Sequence, residues 1–142
     1  MKHTRHLAGM LIAAALLAGC GGTVVRTLPL PAEATGHDAT GVKLYFGAQA
    51  HPAVKTTIGS RSESVRVKRA IEAEQPTCDQ ALAEALSRLR DYAKRHGGNA
   101  VVNVTTRFHE QRSDSAARYT CGVSPSAGAL AVSGDVVVLD AQ

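Results

Sequence analysis

The sequence lacks the short motifs by which common catalytic and cofactor sites are recognised. It has no G-x-x-x-x-G-K-[ST] phosphate loop, no Cys-x-x-Cys pair and no two histidines four positions apart. The stretch from Gly122 to Ser126 approaches the G-x-S-x-G elbow of hydrolases but ends in serine. Asp135 and Asp140 do not have the pattern of a paired-carboxylate site either. We therefore predict no catalytic residue, no metal ligand, no cofactor and no small-molecule substrate.

Four histidines follow the N-terminal region, and none has the spacing of metal ligands. They fall in a flexible segment, a loop, a helix end and a strand end: His37, His51, His96 and His109. A zinc site would need paired ligands at short spacing. We therefore interpret each of these histidines as a surface or capping residue.

The sequence also lacks a long apolar run and a strong excess of one charge. Its longest apolar stretch, Leu7 to Leu17, spans about 11 residues, too few for a helix to cross a ~30 Å hydrocarbon core. The formal charge is +4, and half of it comes from Lys2 and Arg5. So small a basic excess predicts solubility or weak attraction to anionic surfaces, and no nucleic-acid partner.

The N-terminus has the pattern of a lipoprotein signal. Lys2 and Arg5 precede the apolar run, and Leu17-Ala18-Gly19-Cys20 matches a lipobox. In that chemistry the cysteine sulfur takes a diacylglycerol, and cleavage leaves the cysteine as the new N-terminus. We predict a signal peptide at residues 1–19 and lipidation of Cys20, which makes the membrane a partner through the anchor. The alternative is a plain signal peptide with an incidental cysteine.

Residues 20–41 have the composition of a linker. They are rich in glycine, threonine, proline and alanine, with Pro29 and Pro31 close together. We predict that the lipidated cysteine is followed here by a flexible tether that reaches ~70 Å when fully extended. A single domain is predicted for residues 42–142.

Hydrophobic periodicity within residues 42–142 predicts strands and one helix. Alternation predicts strands at about 42–46, 54–67, 99–108, 117–123 and 129–139. The helix is predicted from about Cys78 to His96, with Thr77 and Gln80 as a capping box and Gly97 at the C′ position. Its inward face comprises Leu82, Ala85, Leu86, Leu89, Tyr92 and Ala93, and its charged face comprises Glu84, Arg88, Arg90 and Asp91.

This order predicts an α+β fold in which one helix packs on a mostly antiparallel sheet of four to five strands, β-β-α-β-β-β. The run Val136 to Leu139 indicates burial on both faces, and hence a central position for the last strand.

Two further cysteines, Cys78 and Cys121, lie in the predicted domain, and outside the inner membrane they meet an oxidising compartment. Two thiols permit one disulfide, which in the chain-entropy model would contribute ~4 kcal/mol. Alternatively, Cys78 is redox-active, because a helix N-terminus lowers the pKa of a thiol. No resolving cysteine lies nearby, which favours a structural bridge between helix and sheet.

The domain resembles small lipoproteins that share the fold of the Rcs outer-membrane stress sensor and, more loosely, YbjQ-type domains. The resemblance covers about residues 42–139. The matching residues are Val42-Lys43-Leu44-Tyr45, Ile58-Gly59, the helix ending at His96, Gly98-Asn99-Ala100-Val101-Val102 and Tyr119-Thr120-Cys121-Gly122.

The resemblance implies a disulfide-held domain that faces the periplasm from an outer-membrane anchor and binds envelope or outer-membrane proteins without catalysis. Gly21 agrees with outer-membrane sorting, since aspartate there retains lipoproteins at the inner membrane of enteric bacteria. The Rcs sensor differs in having two bridges and a longer, more proline-rich tether, and YbjQ-type metal ligands have no counterpart here. The expected function is a binding or stress-sensing module. The first alternative is a structural envelope lipoprotein, and the second is a metal-binding or hydrolytic domain.

Overall fold

The computed structural model describes residues 21–70 and 72–141. The predicted signal peptide, residues 1–19, and the predicted lipidation site, Cys20, lie outside these ranges. In chain order the elements are β1 (Val24–Pro29), α1 (Ala32–Thr35), β2 (Lys43–Phe46), β3 (Val54–Lys68), α2 (Glu74–Arg95), β4 (Ala100–Phe108), β5 (Gln111–Ser113), β6 (Arg118–Val123) and β7 (Ala127–Leu139).

The predicted fold class is confirmed in its coarse form, an α+β domain with one main helix on a mostly antiparallel sheet. The predicted strand number and order are wrong, because the described part of the chain has seven strands rather than four to five. The sequence patterns do not predict two of the strands or the short helix. β5 is only 3 residues long, and β1 and α1 lie in the segment predicted as a tether.

β7 is the centre of the sheet, as its apolar sequence predicts. β3 pairs with it antiparallel from Val54↔Leu139 to Lys68↔Ala127, while β4 and the end of β6 pair with its other edge. Beyond these, β2 runs parallel to β4 and β1 runs antiparallel to β6, which gives the order β1-β6-β7-β4-β2. β7 can be apolar on both faces because each face is covered: Val132 and Val136 pack in the cluster that contains α2, and Val137 and Leu139 pack in a second cluster.

The main core lies between α2 and one face of the sheet. Leu82, Leu86 and Leu89 have at most 1% exposure and pack in one cluster with Val132 and Val136. Full burial of such side chains stabilises the fold by ~1.5–3 kcal/mol each. A smaller cluster occupies the opposite face, formed by Tyr45, Ala100, Val102, Val137 and Leu139.

The two ends of α2 differ in how well the sequence predicts them. The helix begins at Glu74, so Pro76 lies inside its first turn, where a proline removes no helical hydrogen bond. The predicted capping box is therefore wrong, and the Thr77 hydroxyl instead donates to the Ala73 carbonyl at 3.3 Å. At the other end Gly97 has a φ of 83°, and the Gly98 amide donates to Ala93 O at 2.8 Å, the predicted left-handed termination.

The predicted flexible tether is wrong for its larger part. β1 pairs with β6 from Val24↔Val123 to Pro29↔Arg118, and Arg26 Nε donates to Glu74 Oε2 at 2.7 Å. Backbone hydrogen bonds to a strand far along the chain thus order this segment, and Leu28 and Leu30 pack partly against the core. Only Gly21–Thr23 precede β1 among the described residues.

Candidate binding groove

The structure joins the two predicted cysteines. Cys78 and Cys121 form a disulfide with an S–S distance of 2.08 Å, as predicted, and it ties the first turns of α2 to β6. Neither cysteine has exposed surface. Thiol–disulfide exchange requires access to a sulfur atom, so burial favours the structural role over the redox-active one.

A hydrogen bond next to this disulfide repeats the same connection. The Tyr119 hydroxyl on β6 donates to Asp79 Oδ1 on α2 at 2.5 Å. Tyr119 is fully buried, and this burial, followed by the hydrogen bond and charge of Asp79, raises the pKa of its hydroxyl well above the usual range. Tyr119 therefore stays a hydrogen-bond donor at physiological pH, and Asp79 is held facing a groove on the helix surface.

This groove lies between α2 and the segment that contains α1, and its volume is about 460 Å³. Ligand pockets of proteins span about 300–1,000 Å³, so the groove is large enough for a side chain or a small molecule. Its lining residues are Pro31, Glu33, Ala34, Asp79, Leu82, Ala83, Leu86 and Arg90. The floor is apolar, and charged side chains stand at its edges.

Arg90 is the unusual member of this set, because a charge predicted to face solvent is only 7% exposed. Its Nη2 donates to the Gly36 carbonyl at 2.7 Å and to the Ala34 carbonyl at 3.3 Å. Its Nε has no hydrogen-bond partner within the described ranges and lies 3.7 Å from Asp38 Oδ2. The guanidinium therefore fixes the N-terminal segment and keeps one donor unused.

Burial shifts the pKa values of Arg90 and of its partner Asp38. Loss of water lowers the pKa of Arg90, and the charge of Asp38 partly offsets the effect. Burial alone would raise the pKa of Asp38, but hydrogen bonds from Thr40, together with Arg90, outweigh it and leave that pKa below its ordinary value. The two groups form a charged pair that holds residues 34–40 against α2.

The other sequence candidates have structural contacts. A Cβ on Gly122 would lie 2.3 Å from the Phe108 ring, so this glycine makes room for an aromatic side chain. Ser124 Oγ accepts from the Ala127 amide at 3.1 Å and closes the turn between β6 and β7. Asp135 accepts from Ser60 Oγ and Asn103 Nδ2. These residues are thus spread over the fold and do not form one site.

Of the histidines, His96 has the helix-end role that its position predicts. Its Nδ1 lies 2.8 Å from the Tyr92 carbonyl, and its ring stacks on the Tyr92 ring at 3.9 Å. Residues 21–70 and 72–141 contain no group of three or more His, Cys, Asp and Glu side chains arranged to hold a metal ion. In the same ranges no helix is long and apolar enough to cross a membrane.

Sequence reasoning missed the groove, although one signal for Arg90 was present. Leu82, Leu86 and Arg90 are spaced by four residues and so share one helix face. An arginine that continues a buried stripe predicts a partner that covers it. The partner itself, the carbonyls of Ala34 and Gly36, could not be predicted because it depends on where the N-terminal segment docks.

The lining of the groove resembles that of a ligand-binding surface. No serine, cysteine or histidine side chain lines it, and one of its carboxylates, Asp79, already accepts a hydrogen bond from Tyr119. An apolar floor with a few charged groups at the edge is typical of sites that hold a ligand in one orientation.

No family model, curated protein or solved structure matches this chain. The resemblance to the Rcs stress-sensor fold and to YbjQ-type domains therefore stays a prediction, argued from short motifs alone.

Proposed function

We propose that the chain is a lipid-anchored binding module of the bacterial cell envelope, attached through Cys20 and acting without catalysis. The anchor places it in the outer membrane with its domain in the periplasm, where it contacts envelope or outer-membrane proteins. The observation that carries this proposal is a buried disulfide in a small domain that directly follows a lipobox. Such bridges persist in oxidising compartments outside the cytoplasm.

The groove supports the binding part of the proposal. Its accessible apolar surface comes from the exposed Ala83 and the half-buried Pro31, above the buried Leu82 and Leu86, and it matches an apolar side chain of a partner. Its position on α2 beside the disulfide and the Tyr119–Asp79 hydrogen bond makes it a rigid surface, and rigid sites lose little free energy to ordering on binding.

Intact mass of the membrane-extracted protein tests the anchor and the compartment together. The proposal requires acyl mass on a chain that begins at Cys20 and a gain of two hydrogen atoms on reduction. An unlipidated chain with free thiols contradicts it.

A matched pair of variants on one helix tests the groove. Ala83 lines the groove and is exposed, whereas Ser87 is exposed but is not a lining residue. Ala83→Arg adds bulk and charge inside the groove, and Ser87→Arg adds the same outside it. We expect envelope proteins cross-linked by the wild type to be lost with Ala83→Arg and kept with Ser87→Arg. Equal capture by both variants would remove the groove from the proposal.

Deletion of the protein separates this role from that of a structural envelope lipoprotein. Loss of a sensor changes the output of an envelope stress reporter, while loss of a structural protein changes envelope permeability. A permeability change with an unaltered reporter favours the structural role.

A further inference from the structure

The start of the domain lies very close to its predicted anchor. β1 begins at Val24, so the three residues Gly21–Thr23 separate it from Cys20 and can extend by at most ~10 Å. A Cβ on Gly21 would lie 2.9 Å from Pro125 Cγ, which places this residue on the turn between β6 and β7. The ~70 Å of freedom expected from a tether is therefore absent.

The surface around this point is one end of the sheet, which we call the turn end. It consists of Gly21–Val24, Ser124–Ser126 and Lys68–Ala70. β3 finishes here, because Lys68 pairs with Ala127 and the Arg69 amide donates to Ser126 O at 2.8 Å. Arg69 Nη1 also donates to Ser124 O at 3.1 Å, so the end of β3 and the turn are fixed to each other.

The chemistry of the turn end suits a phospholipid surface. Val24 is 42% exposed, one of two large hydrophobic side chains exposed to that degree among the described residues, and Pro125 and Ala70 beside it are exposed too. Lys68 is exposed at the same end, and Arg69 is half-buried there. Apolar groups at the acyl boundary and cations near lipid phosphates are both favourable at such a surface. Glu72 and Glu74 are nearby anions that reduce the net positive charge, and Glu74 is itself paired with Arg26.

We infer that the domain stands on the membrane with its turn end in the phospholipid headgroup layer, a geometry that rests on the proposed lipidation of Cys20. The diacylglycerol on Cys20 puts the cysteine at the boundary of the ~30 Å hydrocarbon core, and a ~10 Å spacer keeps the turn end in the adjoining layer. β7 then runs away from the membrane, and its far end at Leu139 lies ~40 Å above the turn.

Two labelling positions at opposite ends of β7 test this orientation. Ser126 is exposed in the turn, and Ala53 is exposed next to Asp140, whose amide donates to Ala53 O at 2.9 Å. Ser126→Cys and Ala53→Cys are labelled with the same thiol-reactive fluorophore without reductant, so that the buried disulfide stays closed. The lipidated proteins are placed in phosphatidylethanolamine and phosphatidylglycerol vesicles that contain a lipid with a nitroxide in its headgroup.

We expect several-fold stronger quenching at Ser126→Cys than at Ala53→Cys, and loss of this difference when a long Gly/Ser linker is inserted between Gly22 and Thr23. Equal quenching without the linker overturns the inference. The intact mass of each sample shows which proposal has failed. Equal quenching of an acylated chain contradicts only the orientation, whereas a chain without acyl mass contradicts the anchor and the orientation together.

Discussion

The N-terminal segment, residues 24–41, and the body built from α2 and β7 are held in place by different interactions. The body is stabilised by apolar burial, with Leu82, Leu89 and Val132 wholly buried. The segment adds polar contacts to a smaller apolar contribution. These contacts are the strand pairing of β1 with β6, the ion pair of Arg26 with Glu74, and the buried Arg90 at the carbonyls of Ala34 and Gly36. Its apolar part is the packing of Leu28 and Leu30 against the core.

This difference explains why hydrophobic periodicity predicts the elements of the body but does not predict β1. Periodicity records which side chains are buried, and β1 has no fully buried residue. Its order comes from backbone groups, which every sequence carries. A segment that resembles a linker by composition can therefore be part of a sheet when a distant strand supplies an edge.

The largest effect is expected from the disulfide, which joins the body to the strand that carries the segment. Cys78 and Cys121 are separated by 43 positions, and opening that loop in the Cys78→Ala, Cys121→Ala double variant should lower the free energy of unfolding by ~4 kcal/mol. Urea titration followed by circular dichroism measures it. Reductant should shift the wild-type midpoint and leave that of the double variant unchanged. A loss below ~1 kcal/mol would show that packing and the Tyr119–Asp79 hydrogen bond hold α2 to β6 without the disulfide.

Tyr119→Phe should have the next largest effect. It removes a hydrogen bond to a charged acceptor while keeping the buried ring, which predicts a loss of about 2 kcal/mol. Tyr45→Phe is the control, because Tyr45 is also buried but lies in the small cluster on the opposite face. A larger loss from the control than from Tyr119→Phe would contradict the importance of this hydrogen bond.

The hydrogen-bonded pair of Tyr119 and Asp79 also predicts that the folded protein loses stability at alkaline pH. The pKa of Tyr119 is raised in the folded protein, so the unfolded chain loses this proton first, near its ordinary value of about 10. The contribution is complete below that pH and is lost as the pH rises above it. Unfolding measured from pH 8 upward should show a steeper decline for the wild type than for Tyr119→Phe. Parallel curves would indicate that the hydroxyl is not protected.

A smaller global effect is expected from Arg90→Met, which removes the side chain that holds the N-terminal segment against α2. The two carbonyl contacts are lost, but an imperfectly paired buried charge is lost as well, so the net change should be about 1 kcal/mol. Hydrogen exchange should become faster in residues 31–41 and stay unchanged in the middle of α2. Arg88→Met, at an exposed pair with Glu84, is the control. Unchanged exchange in residues 31–41 would mean that Arg90 does not hold the segment.

The smallest effect is expected from Arg26→Ala. Both Arg26 and Glu74 are exposed, and such ion pairs contribute little because water and salt screen them. The hydrogen bond from Arg26 lowers the pKa of Glu74, so the contribution is present above the ordinary glutamate pKa and is lost as the pH falls through the lowered value. Thermal unfolding should change only slightly at neutral pH. A large change would contradict the small contribution expected from this exposed ion pair.

The sequence predicted best the elements whose order comes from apolar burial. The strands β2, β3, β4, β6 and β7, the C-terminal end of α2 and the central place of β7 were all predictable from alternation and helical spacing. The first turn of α2 was not, because Pro76 is tolerated inside it and no side chain marks its start.

Only one wall of the candidate groove could be predicted from the sequence. Leu82 and Leu86 follow from the helical stripe, whereas the opposite wall, with Pro31 and Ala34, depends on the docking of a segment that has no apolar period. Arg90 lies on the same helix face as these leucines. Its charge predicts an exposed side chain, whereas the covering N-terminal segment buries it. Long-range pairing is the physical information that local patterns lack.

The pairing of β1 with β6 also sets an order of events in biosynthesis. Val24 pairs with Val123, so in a chain made from its N-terminus β1 is present long before its partner strand. The first strand of the sequence is thus among the last to find its partner, and the edge of the sheet that it forms is completed late.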